Sequence, residues 1–210
     1  SFACSVSCRM SGGTSVREVI NMDEALQIAY DFYLQHPDET LIVVTADHET
    51  GGMSVGCAAT GYSVQPQNAA AQKISKELFN EFCKKKFESN EPFTWADMEQ
   101  ALRDKLGFWT TVKLNPDEEE SLKSMFAEIF EKHNDLEEKK TLYGSYNQFV
   151  VRAFDILNYK SGFGWTTPCH TGAPVPVYAI GADCMLFSPL QDNTEIPRKI
   201  LKAMGKQLPQ

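Results

Sequence analysis

The chain has 210 residues, a formal net charge of −8 and an apolar content of 42%, enough for one large domain or a core with an inserted subdomain. No apolar stretch approaches the roughly 20 residues that a membrane-spanning helix needs, which excludes such a span. The acidic balance argues against nucleic acid as a partner, because a phosphate backbone calls for a basic face.

Residues 1–13 are small, rich in Cys and Ser, and lack periodicity; they read as an atypical leader in which no secretory signal is visible. A helix follows. Asn21 suits its N-cap, Glu24 stands at N3, and Ala25, Ile28, Ala29, Phe32 and Tyr33 form an apolar stripe. His36-Pro37 ends it, since the residue before proline is pushed out of the helical region. Residues 41–45 then form a continuously apolar strand of the kind buried in parallel sheets. Helix, loop and strand together make half of a parallel β-α-β unit. The strand runs out into Asp47-His48-Glu49-Thr50-Gly51-Gly52, at the strand end where open α/β sheets place their chemistry.

Residues 65–159 read as amphipathic helices joined by polar turns, without a strand. One helix spans 68–87, with Ile74, Leu78, Phe79 and Phe82 on a common face. Thr94 caps the next, with Asp97 in the capping-box position and Gly107 closing it. Asn115-Pro116-Asp117-Glu118 starts a third, whose stripe is Leu122, Met125, Phe126, Ile129 and Phe130. A last one covers 142–157. The basic runs Lys84-Lys85-Lys86 and Lys139-Lys140 lie in acidic surroundings and read as solvated faces.

Residues 175–181 return to a strand, with Pro176 at its start or edge, and Asn193 caps a closing helix over 194–204. The organisation is therefore an α/β core segment at 1–64, a helical insert at 65–160, and a second core segment at 161–210. Six cysteines (Cys4, Cys8, Cys57, Cys83, Cys169, Cys184) are scattered without a C-x-x-C pair, so a zinc ribbon is disfavoured and disulfide pairing stays open.

Asp47 and His48 set a hard oxygen beside an imidazole nitrogen, a pairing suited to Zn²⁺. Neighbours on a regular strand point to opposite faces, so both can serve one metal only where the strand breaks. Gly51-Gly52 permits a break nearby. The other reading is a strand-end Asp capping a turn, with His48 bonded to backbone. His170, in Thr167-Pro168-Cys169-His170-Thr171-Gly172, is a further candidate ligand, whereas His36 and His133 read as solvated residues near helix ends.

These two segments resemble the signatures of alkaline phosphatases. Leu41 to Met53, with Thr-Ala-Asp-His at its centre, looks like the first in its bacterial form, and His170-Thr171-Gly172 before the last strand is similar to the second. Phe187-Ser188 and 192–196 resemble the family's closing segment. Related superfamily members (cofactor-independent phosphoglycerate mutases, phosphopentomutases, sulfatases) carry similar metal-binding segments, but the Glu49-Thr50-Gly51-Gly52 continuation favours the phosphatase branch.

The resemblance implies an alkaline-phosphatase-like α/β sheet core with an inserted helical subdomain. It also implies two zinc ions, with Asp47 and His48 as metal ligands of one and His170 of the other, and a phosphomonoester substrate. A Mg²⁺ site, periplasmic or secreted localisation and a homodimer are further family features. It implies as well that this chain is the carboxyl-terminal portion: the nucleophilic Ser, the phosphate-binding Arg and the Mg²⁺ ligands lie in an amino-terminal half without counterpart here. Residues 1–13 contain no Asp, Glu or His. The resemblance covers about residues 15–64 and 160–210, with the insert matching in placement. The expectation is a chain inactive alone. The alternative is a degenerate, non-catalytic member acting as a binding or structural module.

Overall fold

The computed structural model describes residues 10–206 except 57, 90, 136, 142 and 143; the side chains at 59, 137–141, 144 and 145 lie outside the described ones. The chain divides into two compact units, Ser1–Glu18 with Thr50–His170, and Val19–Glu49 with Thr171–Gln210. Helix α1, Gly12–Gln35, runs from the first into the second.

That helix starts nine residues before the expected cap at Asn21. Its first amides are satisfied by side chains from distant segments: Gly12 N–H donates to Asn158 Oδ1 at 3.1 Å and Gly13 N–H to Gln72 Oε1 at 3.1 Å. The amide of Asn158 in turn donates to Met10 O at 2.6 Å. A Cβ on Gly13 would fall 2.5 Å from Ala69 O, so only glycine fits where the chain passes this close. The residues read as a leader are therefore anchored from Met10 onward; residues 1–9 lie outside the described ones.

In the first unit the expected single helix over 68–87 is two helices, α2 Pro66–Ala71 and α3 Lys76–Glu88. Gln72 breaks it. Its backbone is extended, with ψ 116°, and its buried amide nitrogen lies within hydrogen-bond distance of Ser11 Oγ (2.8 Å), Thr14 Oγ1 (2.6 Å) and Ile74 O (2.9 Å), which share its two protons. Ser75 then caps α3 by accepting Leu78 N–H at 3.3 Å.

Local signals read correctly farther on. In α4, Trp95–Leu106, Thr94 and Asp97 form a capping box and Gly107, at φ 71°, closes the helix. In α5, Pro116–Phe126, Asn115 and Glu118 form a second box. The stripe of α5 continues through a π-helical turn, Ala127–Glu131, which buries Ile129 and Phe130. Two strands follow where none was expected: β3 Glu137–Thr141 pairs antiparallel with β4 Gly144–Asn147. Lys139 and Lys140 fall in β3, with side chains outside the described ones. Helix α6, Gln148–Ser161, thus begins later than 142. A short antiparallel pair, β2 Ser54–Val55 with β5 Phe163–Gly164, completes the unit. Its core brings α3 to α6 together, with Phe79 6.1 Å from Phe154, and Phe130 6.1 Å from Phe149, between ring centroids.

In the second unit β1, Leu41–Val44, pairs with β6, Tyr178–Gly181, so that Ile42 faces Ile180 and Val43 faces Ala179. The pairing is antiparallel, whereas the apolar run suggested a parallel neighbour; among the described residues β6 is the only strand paired with β1. The closing helix α7 is Glu195–Ala203. Asp192 rather than Asn193 supports its start, accepting Thr194 N–H at 2.9 Å and Oγ1–H at 2.7 Å. Phe187 is the only buried large hydrophobic residue of this unit among those described.

Candidate metal-binding site

Strand β1 ends at Val44, so Asp47 and His48 lie in irregular backbone and escape the alternation that would send them to opposite faces. The hydroxyl of Thr45 donates to Pro176 O at 3.1 Å and ties the loop after β1 to the approach of β6. Asp47 Oδ1 accepts the His48 N–H at 3.2 Å, and Asp47 Oδ2 lies 3.6 Å from His48 Nε2. The carboxylate is open, with 61% of the Asp47 side chain exposed, and the imidazole is more enclosed, at 27%.

His48 Nδ1 is 2.7 Å from Glu49 O. A carbonyl only accepts, so Nδ1 donates here, and in the neutral imidazole Nε2 holds the lone pair, on the side of the Asp47 carboxylate. The Glu49 carboxylate accepts the Thr171 hydroxyl at 2.5 Å, joining the two motif segments within the second unit.

In the first unit the glycine pair meets the approach to His170. Gly51 O accepts the Thr166 N–H at 3.0 Å and the Thr167 N–H at 3.2 Å. A Cβ on Gly51, at φ 101°, would fall 2.5 Å from Thr167 O. Cys169 N–H donates to Thr167 Oγ1 at 3.2 Å, and half-buried His170 ends the unit.

The donor set fits part of a zinc site. A ligating imidazole is oriented by a hydrogen bond from its other ring nitrogen, commonly to a backbone carbonyl, as at His48. Catalytic zinc takes three protein ligands, of which Asp47 and His48 would supply two. Among the described residues no group of three or more His, Cys, Asp or Glu is placed to hold a metal. Among the described residues Cys83 and Cys184 are free thiols, and burial pushes the Cys83 thiol far up, leaving it inert.

Asp47, His48 and His170 could be picked out from residue type and position, but Thr171 and the Glu49 carbonyl could not. Their partners are neighbours in the fold or along the backbone, and no residue-type pattern announces either contact.

Comparison with known proteins gives one consistent picture. A sequence model of the family described as Alkaline phosphatase matches residues 11–206, running through the helical stretch that the motifs tie to the family by placement alone. The chain is 30% identical to alkaline phosphatase 3 of Bacillus subtilis (strain 168), over 90% of this chain and 35% of that protein. It is 28% identical to the repressible alkaline phosphatase of Saccharomyces cerevisiae, over 87% of this chain and 30% of that protein. The crystal structure of a cold-active alkaline phosphatase from the psychrophile Shewanella sp. superposes with a TM-score of 0.67 at 26% identity, covering 95% of this chain and 42% of that one. The chain thus spans about a third of the length of the curated relatives it matches.

Proposed function

The chain belongs to the alkaline phosphatase family, and from that premise we propose that it forms the carboxyl-terminal part of a zinc-dependent phosphomonoester hydrolase. Asp47 and His48 hold one zinc and His170 holds the other. The observation that carries this is the adjacent pair of donors, Asp47 Oδ2 and His48 Nε2 at 3.6 Å, with the imidazole set by Glu49 O. Zinc ions held by these residues would supply Lewis-acid stabilisation of the charge that develops in phosphoryl transfer.

The chain's own residues act by holding donors. Glu49 O accepts from Nδ1 of His48 and leaves Nε2 as the nitrogen free to face a metal. The Thr171 hydroxyl holds the Glu49 side chain, and with it the loop that carries Asp47. Gly51 lets the backbone pass close under the segment leading to His170. The serine nucleophile and the Mg²⁺ ligands belong to sequence that the matched segment does not include, so the chain alone is inactive. Residues 65–160 act as a helical insert between core segments 1–64 and 161–210. The family reading extends to a periplasmic or secreted setting and to a homodimer. No helix among the described residues is long and apolar enough to cross a membrane.

Replacing the matching segment of the Bacillus subtilis enzyme by residues 11–206 tests the reading. The chimera hydrolyses p-nitrophenyl phosphate, and His170→Ala abolishes the turnover. A folded, zinc-loaded chimera without turnover contradicts it. Turnover by the 210-residue chain alone, lost in His170→Ala, contradicts the inactivity.

A further inference from the structure

In the first unit the end of α3, the segment after it and the end of the π-helical turn enclose a pocket of about 300 Å³, with Lys86, Ser89, Glu91, Phe93, Phe130 and His133 in its lining. That volume lies at the lower end of the roughly 300–1,000 Å³ that small-molecule sites occupy. Two of the lining residues are aromatic: the rings of Phe93 and Phe130 stand 5.5 Å apart at 70°. The π-helical turn buries Phe130, and such one-turn insertions occur often at functional sites. His133 follows with φ 53°, at a helix end that ordinarily takes Gly or Asn. A histidine there bears backbone strain and brings an imidazole to the pocket.

The polar lining is rich in donors. The solvated face expected for Lys86 is not what the fold gives it. Its side chain is half-buried, and the ammonium sits 5.4 Å from the centroid of the Phe93 ring. Among the described residues no carboxylate pairs with it at close range. Asp97, which it reaches only at long range, is held by the hydroxyl and the N–H of Thr94. Ser89 Oγ accepts the Glu91 N–H at 3.1 Å, so the hydroxyl keeps its own proton to donate. His133 adds a ring N–H. Against these donors stands one acid, Glu91. It is exposed, so water and salt screen its charge more than that of half-buried Lys86.

We propose that this pocket is a binding site for a small aromatic carboxylate. The ring of the ligand lies against Phe93 and Phe130, and its oxyanion accepts charge-assisted hydrogen bonds from Lys86 and hydrogen bonds from Ser89 and His133. An organic cation fits less well, because the Lys86 ammonium already occupies the face of Phe93. The site lies within one unit and uses neither the metal ligands nor the family assignment.

Titration of the 210-residue chain with phenylacetate, followed by the NMR shifts of its amides, tests the proposal. Acetate, which lacks the ring, and phenethylammonium, which reverses the charge, are the comparison probes. The expected result is a saturable shift at residues 86–89 and 130–133 with phenylacetate, and weaker binding of both other probes. Lys86→Met keeps the stem of the side chain and should weaken phenylacetate binding about tenfold, the loss of one hydrogen bond to a charged group. Glu91→Gln should tighten it. Unchanged circular dichroism of both variants assigns these changes to the pocket. No saturable shift with phenylacetate overturns the proposal, as does equal or tighter binding of acetate or phenethylammonium. Affinity unaltered in Lys86→Met overturns it too. So does weaker binding in Glu91→Gln, because the pocket then selects a group that Glu91 holds.

Discussion

The hydroxyl of Thr171 donates to the carboxylate of Glu49 at 2.5 Å, linking the segment after the first strand of the second unit to the segment before its last. The two residues stand 122 positions apart in sequence, and each is the neighbour of a proposed metal ligand, His48 or His170. Hydrogen bonds behind a ligand fix its orientation, and their loss commonly costs about 10–100-fold in metal affinity. Thr171→Val removes this donor at nearly constant volume. Zinc affinity, measured by competition with a chromophoric chelator, should fall about tenfold with the circular dichroism unchanged. An unaltered affinity would separate the Glu49 side chain from the site.

The packing contrast between the units predicts opposite outcomes for two apolar truncations. Phe154 is fully buried among Phe79 and the other core rings, and Phe154→Ala should cost about 3–5 kcal/mol. Ile28, 74% exposed, should tolerate Ile28→Ala within about 0.5 kcal/mol. Urea unfolding of both variants measures the difference. A cost at Ile28 comparable to that at Phe154 would mean that α1 is covered in the isolated chain.

Gln72→Leu tests the anchoring of the first helical turn. The substitution leaves the buried Gly13 N–H without its acceptor and removes the amide that donates to Ser11 and Thr14. Each unsatisfied buried group costs about 1–3 kcal/mol. The urea midpoint should drop accordingly, and exchange at the Gly13 amide should accelerate more than at residues within α4.

Acid should loosen α4 through one carboxylate. Hydrogen bonds from the Thr94 hydroxyl and the Thr94 N–H hold the Asp97 carboxyl below the ordinary aspartate range. Its folded value lies under its unfolded one, so its stabilisation is present above the unfolded value of about 4 and is lost as pH falls through the folded value. Asp97→Asn should flatten that part of the pH dependence of thermal unfolding. An identical profile below about pH 4 would remove the capping box as its source.

What could be read from the sequence was local. The capping boxes at Thr94 and Asn115, the left-handed Gly107 and the stop at His36 depend on residues within one turn of each other. The start of α1 depends on Asn158 and Gln72, which lie 146 and 59 residues from the glycines they cap, so no window of sequence contains the signal. Gln72 ends α2 for the same reason: its tertiary hydrogen bonds outweigh a continuous apolar stripe. The β3–β4 hairpin went unseen because Glu137-Glu138-Lys139-Lys140 has no alternating apolar pattern. At the site, the chemistry of Asp47 and His48 was legible from residue type. The Glu49 carbonyl that selects the His48 tautomer was not, because any residue supplies a carbonyl.

Zinc binding by the chain itself tests the central claim most directly. After dialysis against zinc and removal of excess, metal analysis of the wild-type chain should find bound zinc, held more weakly than in a complete site. Asp47→Ala and His48→Ala should each lose it, and both should keep the wild-type circular dichroism. A zinc content of the wild-type chain that is nil, or that neither substitution lowers, would contradict the assignment of Asp47 and His48 as metal ligands.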